Sequence, residues 1–416
     1  MKKRLIISTI VFFCLAMNCW AGSFGWQGTY NKNSFDFLFP NNPIKQADRI
    51  NCVKLDKSIR PGSWKEKIPF GICIDKSQNK VFFLNYNSFF KKSILAIKDS
   101  DIKKPEDVSV NKYGLIAVAD SKANCVFLYQ LNNNLKTAIL TDKIQVSQPF
   151  RCEFLSDTQI VVMTKKNKVF LYKKSKHGYK QNNQASLKLT KELKGRKLAD
   201  ISVSRYRSIY IYMLTDNYLY KANIRGRILK KTKLQHNYTA LENSYFGDIF
   251  LLNSKINSID KYNANMRFLD RLDLSKYLKS PANDLAVYDS FGYLVVGAKT
   301  QGTYFGLGTD ISFLNTEKSK SFSHNNAYRI NFKLTFPSLV TISIRDKYNN
   351  VKKQLIKKKK LLSGPHTFFW DGKDSENRQL RGLMGVEIVA KARYSLTNIA
   401  RKQCAINIAF QDKLAK

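Results

Sequence analysis

Histidine, cysteine and acidic residues are scarce in this chain of 416 residues, which has four His, seven Cys, and 31 Asp and Glu against 71 Lys and Arg. The His residues show no HxH or HxxxH spacing, so local sequence does not support a zinc site. They are His177, His236, His324 and His366. No G-x-S-x-G elbow and no Cys–His signature is present, so the sequence does not suggest nucleophilic catalysis, and we expect no cofactor.

The cysteines are too few and too scattered to form a disulfide framework. Removal of Cys14 and Cys19 with an N-terminal leader leaves an odd number without a CxxC pair. The remaining five are Cys52, Cys73, Cys125, Cys152 and Cys404. Three of them, Cys73, Cys125 and Cys152, lie within apolar runs, which predicts small buried thiols.

The N-terminus, MKKRLIISTIVFFCLAMNCWAG, has a basic start and an apolar run from Leu5 to Met17. This pattern is typical of a secretory signal peptide, here residues 1–21, and the run is short for a bilayer span. We therefore expect a bacterial protein exported to the periplasm or cell envelope. The sequence before Cys19 also loosely resembles a lipobox, which leaves lipidation of Cys19 open, and an uncleaved anchor is a third alternative.

The formal net charge of the chain is +40. A charge this large favours anionic partners, such as an acidic protein or an anionic envelope polymer, in a salt-dependent way. Nucleic acid is not an expected partner of an exported protein. Membrane association would need a lipid anchor or an uncleaved signal, and the oligomeric state stays open.

The stretch PEDVSVNKYGLIAVADSKANCVFLYQL, residues 105–131, predicts three short strands joined by turns. The strands are Asp107–Val110, Leu115–Ala119 and Cys125–Tyr129, and Gly114 suits a positive φ in the first turn. Weaker copies recur along the chain. Taking Ile74, Val110, Phe154, Val203, Leu241 and Val287 as equivalent points gives steps of 36, 44, 49, 38 and 46 residues. Steps of this length are typical of four-stranded propeller blades. Each unit must stack on others like it, because alone it cannot bury its faces.

The same stretch resembles the NHL repeat, which has a Pro-led inner strand, a turn with Asn and Gly, an apolar strand ending in Asp, and a closing strand. The resemblance implies an all-β chain with a six-bladed β-propeller over residues 50–323, after an N-terminal segment at 22–49. The early strand at Ile50–Leu55 is then expected to complete the last blade. The glycines in GTYFGLG, Gly302–Gly308, are expected to form a turn at the end of that blade.

The repeat stops near His324, and six predicted strands follow in 324–416. The phrase FFWDGKDSENRQLRGLMGVEIVAKA resembles the FlgD-type Ig-like domain of the flagellar hook-cap family, which implies a small β-sandwich. Trp370 is expected to fill its core. The spacing of Asp371, Asp374 and Asn377 is not that of a calcium loop, so we expect these side chains to cap a tight turn. Asn377 replaces the usual turn Gly.

The densest basic cluster is expected at a hairpin of this second domain. Its members are Lys352, Lys353, Lys357, Lys358, Lys359 and Lys360. They form either a contact surface for an anionic partner or a solvated edge that blocks strand pairing.

The sequence favours an exported, non-catalytic binding or scaffold protein that uses a propeller loop face. One alternative is a metal-dependent propeller enzyme of lyase or lactonase type, with ligands such as Asp120, Asp200 or Asp284. Another is a structural component of an envelope or flagellar assembly, which rests on the hook-cap resemblance alone.

Overall fold

The computed structural model describes residues 35–36, 46–52, 71–84, 94–95, 97, 100–132, 137–205, 208–288, 293–299, 301–318, 327–393 and 399–408. The predicted signal peptide, Cys19 and His324 lie outside these residues. The described residues fall into two compact units, one within Tyr30–Phe305 and the other within Gly306–Lys416. Both are built from small antiparallel sheets, which confirms the all-β prediction. In the described part of the chain, no helix is long and apolar enough to cross a membrane.

The first unit contains six four-stranded sheets. After β1 (Phe35–Asp36), the first sheet consists of β2 (Arg49–Cys52), β3 (Gly71–Asp75), β4 (Lys80–Leu84) and β5 (Ile94–Leu95). The second consists of β6 (Pro105–Val110), β7 (Leu115–Asp120), β8 (Cys125–Leu131) and β9 (Ala138–Gln145). The third consists of β10 (Pro149–Ser156), β11 (Gln159–Thr164), β12 (Val169–Ser175) and β13 (Gly178–Gln181).

Helix α1 (Asn183–Glu192) precedes the fourth sheet, which consists of β14 (Leu198–Ser204), β15 (Tyr210–Thr215), β16 (Tyr218–Asn223) and β17 (Ile228–Lys233). The fifth consists of β18 (Ala240–Asn243), β19 (Ile249–Asn253), β20 (Ser258–Tyr262) and β21 (Phe268–Asp273). The sixth consists of β22 (Ala282–Tyr288), β23 (Tyr293–Ala298) and β24 (Gln301–Gly306), and β1 pairs with β24 as its fourth strand.

The first strand of each sheet lies at one end of the strand order, and we call β2, β6, β10, β14, β18 and β22 the inner strands. Each inner strand contacts the inner strand of the next sheet, and β2 contacts both β6 and β22. Apolar clusters fill the spaces between successive sheets. Val81 and Val118 share one such cluster, Val162 and Leu128 share the next, and Tyr212 and Leu251 share another. The sheets therefore stack face to face, and none buries its core alone.

Turns of similar geometry link the second and third strands of the sheets. Asn79, Asn124, Asn167 and Asn257 occupy these turns with φ between 47° and 57°. This left-handed region tolerates Asn better than most residues. Asn124, Asn167 and Asn257 also accept a hydrogen bond from a backbone N–H at the start of the next sheet, from Gln148, Leu198 and Ala282 respectively. Asn therefore provides both the left-handed backbone conformation of the turn and a hydrogen bond to the next sheet.

The second unit is a sandwich of two sheets. One sheet has the order β25 (Ile311–Lys318), β26 (Tyr328–Leu334) and β29 (Gly364–Trp370). The other has the order β28 (Val351–Leu361), β27 (Ser338–Arg345), β30 (Gly382–Ala392) and β31 (Ile399–Ile408). Alternate residues of both sheets, among them Ile330, Ile342 and Ile388, form a buried core around Trp370.

Three expectations need correction. The strand expected at Ile50–Leu55 does not complete the last blade, because β2 pairs with β3 in the first sheet, whereas β1 pairs with β24 in the sixth. The glycines of Gly302–Gly308 do not all lie in a turn, because β24 runs through Gly306. The division into compact units falls at 305/306 and not at 323/324, since β25 pairs with β26 of the sandwich.

Candidate functional site

The six inner strands share one structurally equivalent position. In β6, β10, β14 and β22 a register irregularity falls directly before this position, which is occupied by Asp107, Arg151, Asp200 and Asp284. In β2 and β18 the equivalent residues are Arg49 and Ala240. The residue after each of them donates its backbone N–H to the carboxylate of the preceding sheet, as Cys152 after Arg151 does. In chain order the position therefore reads Arg, Asp, Arg, Asp, Ala, Asp.

Arg49 lies at the centre of this set. Its Nε donates to Oδ1 of Asp107 over 2.8 Å, and its Nη1 donates to Oδ1 of Asp284 over 2.9 Å. Nη1 and Nη2 together contact both oxygens of Asp200, at 3.3 and 3.1 Å. One guanidinium group thus joins the first, second, fourth and sixth sheets. Arg151 adds a second cation to the same Asp200 carboxylate, at 2.8 Å.

Each of the three carboxylates also accepts a backbone N–H from the next sheet. Asp107 accepts from Cys152 over 2.9 Å, and Asp200 accepts from Leu241 over 2.8 Å. Asp284 accepts from Ile50 over 2.7 Å, which carries the same pattern from the sixth sheet to the first. Buried carboxylates need such partners, because an uncompensated charge in the interior is costly.

The charges of this cluster do not balance. Two guanidinium groups face three carboxylates, and the equivalent position of the fifth sheet holds the fully buried Ala240 in place of a third cation. Burial raises the pKa of Asp284, and the neighbouring Asp200 adds to this effect against the opposing charge of Arg49, so that the pKa reaches about 7. One proton on Asp284 would leave the cluster neutral.

Arg49 and Asp200 are held in their charged forms by their neighbours. Burial alone would lower the pKa of Arg49, but the three carboxylates outweigh it and raise that pKa well above its ordinary value. Burial would raise the pKa of Asp200, but Arg49 and Arg151 lower it overall. The cluster is therefore a buried ionic network in which the carboxyl of Asp284 titrates near neutral pH.

The structure brings together only two of the three carboxylates named as alternative metal ligands. Asp200 and Asp284 both bind Arg49. Asp120 lies elsewhere, because its oxygens accept backbone N–H groups from Lys103, Lys104, Lys122 and Ala123 around a turn. In the described residues, no group of three or more His, Cys, Asp or Glu side chains is arranged to hold a metal ion.

The predicted lysine cluster lies on β28, which is an edge strand of its sheet. Lys357, Lys358, Lys359 and Lys360 are exposed. Register irregularities interrupt the β27–β28 pairing at three places. At one of them Lys358 adopts a φ of 47° and donates its N–H to Oγ1 of Thr341. Lys352 and Lys353 are paired with Asp346 and Asp371.

The capping predicted for the turn after Trp370 is confirmed for Asp371 and Asp374. Asp374 accepts the backbone N–H groups of Glu376 and Arg378, and Asp371 accepts that of Lys373. Trp370 is buried, and its Nε1 donates to the carbonyl of Lys373. Asn377 adopts a φ of 65°, the conformation for which a glycine was expected.

The buried-thiol prediction is also confirmed. Cys73, Cys125 and Cys152 are buried and free. Burial raises the pKa of the Cys125 thiol to about 11 and raises that of Cys73 and Cys152 well above the ordinary value. These thiols are therefore protonated at neutral pH and fill space in the core.

Sequence reasoning missed Arg49 and the alternation of charge around it. The signal was a charged residue placed just before the apolar run of an inner strand, as in PED, PFR and LAD at residues 105–107, 149–151 and 198–200. Arg49 lacks a leading Pro and was assigned to the N-terminal segment at 22–49. Its partners are contributed by distant parts of the chain, so local spacing did not connect them.

Comparisons with known proteins give likenesses among solved structures. No protein-family model and no curated protein matches this sequence. A solved structure of PorZ, described as an essential bacterial surface component of the type-IX secretion system of Porphyromonas gingivalis, is similar with a TM-score of 0.44 at 10% sequence identity. The likeness covers 86% of this chain and 51% of PorZ, so the chain spans about half the length of that protein.

Proposed function

We propose that the six sheets close into a six-bladed β-propeller and that the protein is an exported, non-catalytic scaffold that binds an anionic partner in the bacterial envelope. The observation that carries the closed ring is the contact of Arg49 with Asp107, Asp200 and Asp284. In a propeller the innermost strands face a common axis, so side chains of non-adjacent blades can meet there. The contacts of β2 with both β6 and β22 support the same arrangement.

The same cluster favours binding over catalysis. The charged side chains at the proposed axis are engaged with one another and with backbone N–H groups, so they serve the cohesion of the ring. We therefore expect surface residues to bind the partner. Basic residues are abundant there, because the chain has 71 Lys and Arg against 31 Asp and Glu. Such a surface attracts anionic partners through long-range electrostatics.

The sandwich is proposed as a FlgD-type Ig-like domain that provides a second contact surface or a spacer. Its edge strand β28 combines exposed lysines with interrupted pairing. Edge strands of this kind resist pairing with other strands, while their lysines stay available to anions. The signal peptide at 1–21 and the NHL-like character of the repeats belong to the same proposal.

Envelope extracts passed over the immobilised protein at low and high salt test the proposed function. We expect retention of a saturable anionic component at low salt and its release as ionic strength rises. A matched comparison uses a variant with Lys357, Lys358, Lys359 and Lys360 replaced by Gln, which reports whether the sandwich or the propeller surface carries the contact. Retention that is unchanged by salt, or the absence of any retained component, would contradict the proposal.

A further inference from the structure

Glu106 is the centre of a second charged cluster, separate from the contacts of Arg49. Its Oε2 accepts from Nζ of Lys76 over 3.0 Å, and its Oε1 accepts from Nζ of Lys165 over 2.6 Å. Nζ of Lys104 lies 3.8 Å from Oε1. Ser121 donates its hydroxyl to the same oxygen over 2.8 Å. Three ammonium groups therefore surround one carboxylate, which leaves two positive charges in excess.

The three lysines come from three different sheets. Lys76 follows β3 of the first sheet, Lys104 precedes β6 of the second, and Lys165 follows β11 of the third. Convergence of three long cationic side chains is unfavourable unless an anion offsets their repulsion. Burial would raise the pKa of Glu106, but hydrogen bonds from Lys165 and Lys76 lower it to about 2. The carboxylate therefore stays ionised across the physiological pH range and keeps the lysines gathered.

The ammonium groups retain capacity for a further ligand. An ammonium group has three N–H donors. In the described part of the chain, hydrogen bonds use one donor of Lys76 and two of Lys165, whereas Lys104 is too far from Glu106 for a hydrogen bond. Their side chains are 36%, 41% and 56% exposed, for Lys76, Lys165 and Lys104 respectively, so solvent reaches all three.

No other carboxylate in the described part of the chain pairs with these three lysines. The acidic side chains near these lysines in sequence have other partners. Asp75 accepts the N–H groups of Gln46 and Gln78, Asp48 accepts that of Lys76, and Asp120 accepts those of its own turn. Lys103, Lys122 and Lys166, which flank the cluster in sequence, are exposed and add to the basic character of this surface.

We propose that Lys76, Lys104 and Lys165, gathered by Glu106, bind the phosphate group of a phosphomonoester. Lysine ammonium groups bind phosphate as point charges. A phosphomonoester carries a charge of about −1.5 to −2 at pH 7, which matches the excess of two positive charges, whereas a sulfate ester or a carboxylate supplies only one negative charge. This inference deepens the proposed function by giving the chemistry of the anionic partner, and it rests on that function for the anionic nature of the partner.

The test measures binding of three phosphate probes to the intact purified protein. Inorganic phosphate and glycerol 1-phosphate are titrated by calorimetry, and vesicles of phosphatidylcholine with phosphatidic acid are used in flotation. Binding to the soluble probes alone would identify a small phosphate compound as the source, and binding to the vesicles alone would identify a lipid headgroup. Methyl sulfate and phosphatidylglycerol vesicles are the controls that carry a single negative charge.

Two paired variants separate a specific site from diffuse charge. Lys76→Gln with Lys165→Gln should weaken phosphomonoester binding about tenfold or more, because charged hydrogen bonds are lost. Lys122→Gln with Lys166→Gln removes the same net charge from neighbouring exposed positions and should have little effect. Lys104→Gln removes no side-chain hydrogen bond among the described residues, so it keeps the test available if the first pair impairs folding. It should also weaken binding.

Three results would overturn this inference. One is an equal loss of affinity in the two paired variants, another is equal affinity for methyl sulfate and glycerol 1-phosphate, and the third is the absence of binding to every phosphate probe. We also expect phosphomonoester binding to weaken below about pH 6, where the dianion takes up a proton. If the phosphate probes fail while envelope extracts still yield a partner that salt releases, this inference falls and the proposed function stands.

Discussion

Arg49 donates a hydrogen bond to Asp284 over 2.9 Å, although 235 residues separate the two in sequence. Ile50 then donates its backbone N–H to the same carboxylate. The start of the first sheet is thus joined to the sixth sheet by side chain and backbone together. Because Arg49 also binds Asp107 and Asp200, one short segment connects four of the six sheets.

Replacement of Arg49 by Met should destabilise the protein strongly. The change leaves three buried carboxylates with only Arg151 to balance them, and breaking a buried ion pair in this way costs about 3–5 kcal/mol. Urea unfolding of the two proteins measures the difference. Arg225→Met, in an exposed turn, is the matched control and should stay within about 0.5 kcal/mol of the parent. Equal effects of the two substitutions would contradict the role of Arg49.

The pKa of Asp284, raised to about 7, predicts a dependence of stability on pH. The folded state holds a proton on this group that the unfolded state, with an ordinary carboxyl pKa near 3.8, releases. The stabilising contribution is therefore fully present below about pH 4 and is lost as pH rises through 7. Asp284→Asn should flatten this decline and should raise stability at pH 8 relative to the parent.

Unfolding midpoints of the parent and of Asp284→Asn at pH 5, 6, 7 and 8 provide the measurement. Glu106 and Asp346, whose pKa values are lowered to about 2, contribute the opposite trend only in more acidic solution, so they do not interfere in this range. An identical slope for the two proteins between pH 5 and 8 would show that Asp284 does not titrate there.

The interrupted pairing of β28 predicts resistance to association through this edge. Replacing Lys357, Lys359 and Lys360 by Val keeps the irregularity at Lys358 but removes the charges that protect the edge. We expect this variant to associate in a concentration-dependent way, measured by sedimentation velocity. A variant with Gln at the same three positions should keep the size of the parent. If the Val variant also keeps that size, the lysines do not protect the edge.

Substitutions of Asn377 test whether the conformation of the turn after Trp370 contributes to stability. Its φ of 65° suits Gly, so Asn377→Gly should change the free energy of unfolding by less than about 0.5 kcal/mol. Asn377→Ala should cost about 1–2 kcal/mol, because Ala keeps the Cβ that is strained in the left-handed region but lacks the short polar side chain that lets Asn adopt it. Urea unfolding followed by tryptophan fluorescence gives both values. Glu376→Ala, at the exposed neighbouring residue, is the control.

Local features of this chain were predictable from sequence. The strands around Gly114 and the turn after Trp370 follow from residues that lie next to one another, and Gly114 has the expected positive φ, at 75°. The buried thiols follow from apolar neighbours in the same way. In each case the physical cause lies within about ten residues of its effect.

Features that depend on distant partners were not predictable. The strand that completes the sixth sheet is Phe35–Asp36, which has too few residues to show a period. The role of Arg49 depends on Asp107, Asp200 and Asp284, each in a different sheet. Glu106 likewise gathers lysines from three sheets. Only the stacking of the sheets makes neighbours of these residues.

The closed ring is tested most directly by a cross-link between the first and sixth sheets. A Cβ built at Gly297 of β23 lies 3.2 Å from Cβ of Ala47, close to the separation of about 3.5–4.5 Å that a disulfide needs, provided that the end of the Ile50 side chain moves. We predict that Ala47→Cys with Gly297→Cys forms this disulfide on mild oxidation, seen as a cross-linked peptide by mass spectrometry and absent from both single variants. Two thiols that stay free in the folded, oxidised protein would contradict the ring.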